Sequence, residues 1–199
     1  MDPRPPLSSF ADLAERVCAA PPRLGRTRLV CIDGPAGSGK TTFAARLATA
    51  LEGDVAVVHM DDVYAGWTLD GAADRLTGCV LRPLAEGRPG AYHRYDWYAG
   101  RFDDVATPVP VPDVLVVEGC GSCPRSVDSW TTLRIWVEAP AALRLARGLA
   151  RDGEQEADHW RRWQREEAVH FAAEDTRARA DLRVDGAETP ADGTFTVLP

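Results

Sequence analysis

Short runs of consecutive apolar residues alternate along this chain with stretches in which apolar residues recur every three or four positions. The runs at 28–33 (RLVCID), 55–60 (VAVVHM), 114–117 (VLVV) and 133–137 (LRIWV) read as buried strands. Residues 182–184 (LRV) fit a last core strand, and 194–198 (TFTVL) an edge strand. The helical spacing begins with Phe10, Leu13 and Val17, with Ser8 or Ser9 placed to cap the helix and Pro21-Pro22 to stop it. It returns at about 40–51 and at 74–86, where Leu76, Val80, Leu81 and Leu84 share a face. Two further helical stretches run over about 141–151 and 156–173. Between them, 87–112 is rich in Gly, Pro and aromatics and reads as a long functional loop.

Strands alternating with helices predict an α/β fold, a mostly parallel sheet covered on both faces, in one domain over 1–199. In such sheets ligands sit beyond the carboxyl ends of the strands. Those ends here carry Asp33-Gly34, Asp61-Asp62, Glu118-Gly119 and Glu138. Carboxylates there are costly inside a core but suit the mouth of a phosphate site with a metal ion.

Composition narrows the picture. The 199 residues are 45% hydrophobic, enough for a real core, and the net charge of −7 gives no footprint for nucleic acid or anionic membrane. No apolar run approaches the roughly 20 residues of a membrane helix. Met1 to Pro6 are not followed by the apolar stretch of a secretory leader, so cytoplasmic residence is the expectation. The five cysteines argue against a disulfide framework. Cys120-Gly-Ser-Cys123 has the spacing of a metal or redox pair but no second pair to complete a zinc site. Of the 23 basic residues only Lys40 is a lysine, which marks a position where a compact ammonium is required.

Lys40 closes the strongest motif. Gly34-Pro35-Ala36-Gly37-Ser38-Gly39-Lys40-Thr41 matches GxxxxGK[ST], preceded by a strand and followed by a helix with Thr42 in its first turn. The glycines let backbone N–H groups turn in around phosphates, and the helix aims its positive end at them. Lys40 reaches the β- and γ-phosphates, and the Thr41 hydroxyl takes one place on Mg²⁺. No guanine-reading Asn-Lys-x-Asp occurs, so ATP is the expected nucleotide.

Phosphoryl transfer to a hydroxyl also needs a carboxylate to take the proton. Asp61 is the candidate base, with Asp62 second. Glu118, after four apolar residues, resembles a Walker B carboxylate that orients Mg²⁺ through water. In 92–98 (YHRYDWY) aromatic faces suit a base or ring, and Arg94 or Asp96 can read its polar groups. Arg144, Arg147 and Arg151 fall on one helix face, either a cationic lid over the moving phosphate or a solvated basic surface. Trp160, Trp163, Glu167, His170 and Phe171 form a stripe that reads as core packing.

Together these residues resemble the uridine kinase and phosphoribulokinase-like branch of P-loop small-molecule kinases, over most of the chain from Arg28 to Gly186. The more specific features are Asp61-Asp-Val-Tyr64, the stretch from Leu84-Ala-Glu-Gly87 to Tyr95-Asp96-Trp97, and Val117-Glu118-Gly119. The run from Arg147 to Asp152 looks like the family's lid helix, and Arg179 to Asp185 like its last core strand. The resemblance implies a three-layer P-loop fold with a helical lid over about 144–173 and an acceptor loop over about 87–112. It also implies Asp61 as base, Tyr64 and Tyr95 lining a nucleoside pocket with Trp97 beside them, Asp70 gripping a ribose, and Arg147 and Arg151 clamping phosphates.

The expected activity is transfer of the γ-phosphate of ATP to a hydroxyl of a small molecule, a nucleoside or similar polyol, with homo-oligomerisation open. A nucleoside monophosphate kinase is a close variant if Arg94 or Arg101 grips an acceptor phosphate. An ATP-binding switch with no acceptor is a different class.

Overall fold

The computed structural model describes residues 7–188, 190 and 193–199; the leader reading of Met1 to Pro6 falls outside them. The core is a seven-stranded sheet. In chain order its strands are β1 (Leu7–Ser9), β2 (Arg28–Asp33), β3 (Val55–His59), β6 (Val114–Glu118), β7 (Thr131–Glu138), β8 (Leu182–Asp185) and β9 (Thr194–Val197). Their spatial order is β1-β9-β8-β7-β2-β6-β3. The pairs from β3 across to β8 are parallel, while β9 runs antiparallel to β8 and to β1.

β2 is central because Leu29, Val30, Cys31 and Ile32 are buried on both faces. One face packs on α1 (Phe10–Ala19) and α2 (Lys40–Ala50) through Phe10, Phe43 and Phe195, whose ring centroids lie 4.9–5.1 Å apart. The other face packs on a helix built from α3 (Ala72–Leu76), a π turn (Thr77–Leu81) and α4 (Arg82–Ala85), which buries Leu76, Val80, Leu81 and Leu84. α5 (Ala141–Asp152), α6 (Ala157–Glu174) and the short α7 (Thr176–Arg179) follow β7. The sheet and its helix layers match the expected three-layer arrangement.

Several expectations need correction. The presumed loop at 87–112 contains a two-stranded antiparallel hairpin, β4 (Gly90–Asp96) and β5 (Arg101–Val109). Both strands are edges; β5 is mostly exposed and β4 buries only Gly90 and Tyr92, too little for an apolar alternation to mark them, and Pro108 sits where an edge strand tolerates it. β9 is not an edge strand, because Leu7–Ser9 pairs outside it; three residues are too few to show a period. Ser9 does cap α1, with Oγ accepting from Asp12 N at 3.0 Å. The first helical turn over 72–73 lies ahead of the apolar stripe and starts from Gly71 in the left-handed region.

The strand-end acids divide by environment. Asp33 is buried and accepts backbone N–H bonds from Gly34 (2.7 Å), Gly121 (2.9 Å) and Cys123 (3.0 Å). It ties the start of the phosphate loop to the turn after β6, and is not at a metal mouth. Burial raises its pKa, against the lowering from these N–H groups and Lys40. Glu138 likewise accepts from Arg177 (2.6 and 3.0 Å) and the Trp136 indole (2.6 Å), and these bonds hold its pKa down. Only Asp61 and Glu118 of the strand-end acids face the cleft described next.

Candidate active site

Between β2 and α2 the chain turns through Gly34, Gly37 and Gly39, with φ of 141°, 78° and 98°. The close approach is as demanding as the conformation: a Cβ on Gly34 would meet Val137 O at 2.1 Å, and one on Gly37 would meet Arg144 O at 2.5 Å. The side chain of Lys40 is buried, and its Nζ donates to Pro35 O at 2.9 Å, across the loop. The buried Ser38 Oγ has no hydrogen-bond partner among the described residues. A left-handed glycine turn, an enclosed ammonium and a free helix N-terminus fit a polyphosphate.

Next to this loop the ends of β3 and β6 bring polar groups together. Thr41 Oγ1 donates to Glu118 Oε1 at 3.1 Å, and His59 Nδ1 lies 2.6 Å from the same oxygen. That contact raises the His59 pKa, with burial opposing it. A hydroxyl and a carboxylate beside the phosphate loop are the hard oxygen donors that suit magnesium.

The two aspartates after β3 face different ways. Asp62 is held by the hairpin: Arg94 Nη2 lies 3.0 Å from its Oδ1, and Tyr92 donates to Oδ2 at 3.2 Å. Asp61 lines the cleft. It is open to the cleft's solvent but has protein mass around it; that desolvation first, and then the Glu118 charge, raise its pKa, with Lys40 and Arg151 opposing.

The three arginines of α5 turn to different partners. Arg144 turns into a buried ion pair with Glu167 at 2.8 Å. Arg147 is pinned by the carbonyls of Gly186 (2.8 Å), Ala187 (3.1 Å) and Gly37 (3.3 Å). Arg151 reaches the cleft, held by Asp152 at 2.7 and 3.1 Å, while Asp152 accepts the Trp160 indole at 2.9 Å.

The cleft has a volume of about 780 Å³ and runs from the phosphate loop to an aromatic end. Ala36, Gly37, Gly39, Lys40, Thr41, Thr42, Asp61, Tyr64, Trp97, Glu118, Arg147 and Arg151 all line it. Tyr64 is buried and donates to Cys120 O at 2.7 Å. Trp97 is 42% exposed and donates to Asp61 O at 3.1 Å. Four expected acceptor residues do not line it. Arg94 is engaged by Asp62. Asp96 accepts the Tyr98 and Ala99 N–H groups (2.8 and 2.9 Å), capping the hairpin turn. Tyr95 packs against Trp97 and Phe102, at 5.4 and 5.2 Å. Asp70 is exposed, its N–H bonded to Thr68 Oγ1 at 3.1 Å.

The structure adds Trp67, which sequence pattern could not place: it stands in a short loop with no helical or strand period. Its ring meets Trp97, Trp160 and Trp163 at 5.7, 6.0 and 6.1 Å, all edge-on. Trp160 and Trp163 are buried, as a packing stripe requires, yet both also face the cleft. A Cβ on Gly148 would meet the Trp160 ring at 2.3 Å, so α5 admits that ring only at a glycine. Cys120 and Cys123 are buried free thiols; burial drives the Cys120 pKa up, and contact with Cys31 raises that of Cys123.

No protein-family model matches the chain, and no curated protein does. Solved structures do. A chain from Bacillus stearothermophilus described as a possible uridine kinase is 20% identical, with a TM-score of 0.64 over 87% of this chain and 96% of its own. A chain from Silicibacter sp. TM1040, described as a candidate fructose transport system kinase, is 22% identical, with a TM-score of 0.64 over 88% and 98%. The protein therefore has the fold of P-loop kinases: a mostly parallel seven-stranded sheet flanked by helices. Among the described residues no helix is long and apolar enough to cross a membrane.

Proposed function

We propose that the protein is an ATP-dependent phosphotransferase that moves the γ-phosphate onto a hydroxyl of a small, uncharged acceptor, a nucleoside or similar polyol. The observation that carries this reading is that Lys40 and Thr41, Asp61, and Trp67 and Trp97 all line one cleft. A smaller cavity of about 270 Å³, bounded by Gly39, Thr42, Arg147 and Gly186, adjoins the loop and suits the nucleotide base. Phosphate groups would lie on residues 34–41. Thr41 and Glu118 would hold Mg²⁺, which supplies charge neutralisation on the phosphates. Asp61 takes the acceptor's hydroxyl proton as its oxygen bonds to the γ-phosphorus; the bond to the β–γ bridging oxygen breaks and ADP leaves. Lys40 and Arg151 stabilise the charge that moves to the leaving oxygen and the equatorial oxygens.

A monophosphate acceptor is disfavoured. Arg94 pairs with Asp62, Arg101 with Asp104, and neither lines the cleft. Neutral acceptors find aromatic faces instead, with which rings or apolar sugar faces pack.

The test is ADP formation from ATP and Mg²⁺ across a panel of nucleosides, polyols and nucleoside monophosphates. Saturable stimulation by one neutral hydroxyl compound is the expected result. ATP turnover indifferent to every acceptor points to a switch instead. With a working acceptor, Trp97→Ala is expected to raise its KM about 5- to 150-fold, from the ~1–3 kcal/mol an aromatic contact of this size carries, with KM for ATP nearly unchanged. Tyr95 does not line the cleft and packs on Trp97 and Phe102, so a smaller change of the same sign is expected for Tyr95→Ala. Arg151→Ala is expected to lower kcat and spare both KM values, because a lid arginine acts on charge that develops in transfer. Steady-state kinetics on the three variants separate these roles.

A further inference from the structure

Glu167 lies on α6, far along the chain from the phosphate loop, and is among the few buried charged side chains. Both of its carboxylate oxygens are used. Oε2 accepts the Ala36 N–H at 2.8 Å, and Oε1 accepts from Arg144 Nη1 at 2.8 Å. Arg144 Nη1 also donates to Ala36 O at 3.3 Å, and its Nε to Ala139 O at 3.1 Å. The N–H and the C=O of Ala36 are thus both held by one ion pair whose members come from α6 and α5. The Arg144 backbone is the group that leaves no room for a Cβ on Gly37.

This is a costly arrangement unless it holds something in place. A buried carboxylate near a polyphosphate site is repelled by the ligand, and two charges taken from water are seldom a net gain for stability. Burial raises the Glu167 pKa, while the Ala36 N–H, Arg144 and Lys40 hold it down. Core packing of a helix on a loop needs only apolar contact. What the pair adds is orientation: it fixes the two peptide planes flanking Ala36, where the loop leaves β2. One turn before Glu167 on α6, Trp163 lines the acceptor end of the same cleft.

We infer that Glu167 and Arg144 are positioning residues that preset the phosphate loop from the two lid helices, so that the loop binds nucleoside triphosphate without reorganising. The inference rests on the reading of residues 34–41 as a triphosphate site. Three variants test it, with MgATP binding by calorimetry and thermal unfolding as independent readouts. Glu167→Gln keeps an oxygen for the Ala36 N–H and is expected to stay within about threefold of wild-type affinity. Glu167→Ala leaves the Ala36 N–H and Arg144 unpaired, and is expected to lose at least tenfold in affinity as well as thermal stability. The double variant Arg144→Met/Glu167→Met replaces the pair by apolar volume, which commonly restores stability. Its Tm is expected to return to the wild-type value while its MgATP affinity stays at least tenfold down. A double variant with both Tm and affinity at wild-type values makes the pair merely structural and overturns the inference alone. If Glu167→Ala does not fold, the Glu167→Gln and double variants decide. A wild-type protein that binds no MgATP overturns the triphosphate reading and this inference with it.

Discussion

Replacing Lys40 by Ala is expected to abolish measurable phosphoryl transfer, a loss of at least about 10²-fold, while the protein still unfolds cooperatively near the wild-type temperature. The chain places its lone lysine at the one motif position where a compact ammonium must enter a tight turn. The side chain is buried and, among the described residues, its Nζ hydrogen-bonds Pro35 O alone. Removing it leaves Pro35 O with the Ser38 N–H at 3.2 Å, so the loss is that of one charge-assisted hydrogen bond, about 1.5–3 kcal/mol at most. The cost in the transition state is larger, since a positioned group acting on developing phosphate charge supplies about 3–4 kcal/mol in comparable sites. ADP formation and a thermal melt on the same sample separate the two effects. Turnover near the wild-type rate in a folded variant removes the central claim about residues 34–41.

The phosphate loop and the parallel sheet were legible because both rest on short-range signals. The motif is contiguous, and each central strand is a continuous apolar run. Tyr64, a candidate from the resemblance, and Trp97, a candidate from the aromatic density, both line the cleft. The hairpin is not legible, because β5 is mostly exposed and β4 buries only Gly90 and Tyr92, which make no apolar period. Asp33 closes β2 and Asp61 follows β3, the next strand along the chain, and the two look alike in sequence. What separates them is the turn after β6, whose Gly121 and Cys123 N–H groups arrive 88 and 90 residues later to satisfy Asp33. Glu167 falls on the inward face of α6, as the packing stripe predicts, and Arg144 on one face of α5 with Arg147 and Arg151, but their pairing with each other and with Ala36 is not legible in either pattern. A helical period tells which side of a helix is inward, but not that the inward side meets the phosphate loop.

Asp61→Asn carries the second large effect. Asn keeps the shape of the side chain and cannot take a proton, so kcat is expected to fall about 10²–10⁴-fold. MgATP affinity should change little, because Asp61 is not part of the phosphate loop; a slight gain fits the removal of one negative charge from the cleft. The neighbouring carboxylate supplies the comparison. Asp62 is engaged by Arg94 and Tyr92, so Asp62→Asn should loosen the hairpin and act mainly on acceptor KM. The pH dependence has a fixed sign. Enclosure and the Glu118 charge raise the Asp61 pKa above the ordinary aspartate value, and only the ionised form can act as base. Wild-type kcat must therefore decline as pH falls through that raised pKa, and this acid limb should be missing from the residual rate of Asp61→Asn. A large kcat loss in Asp62→Asn with none in Asp61→Asn would transfer the base to the other carboxylate. An acid limb unchanged in Asp61→Asn would mean that another group titrates there, and Asp61 would then be left with a binding role.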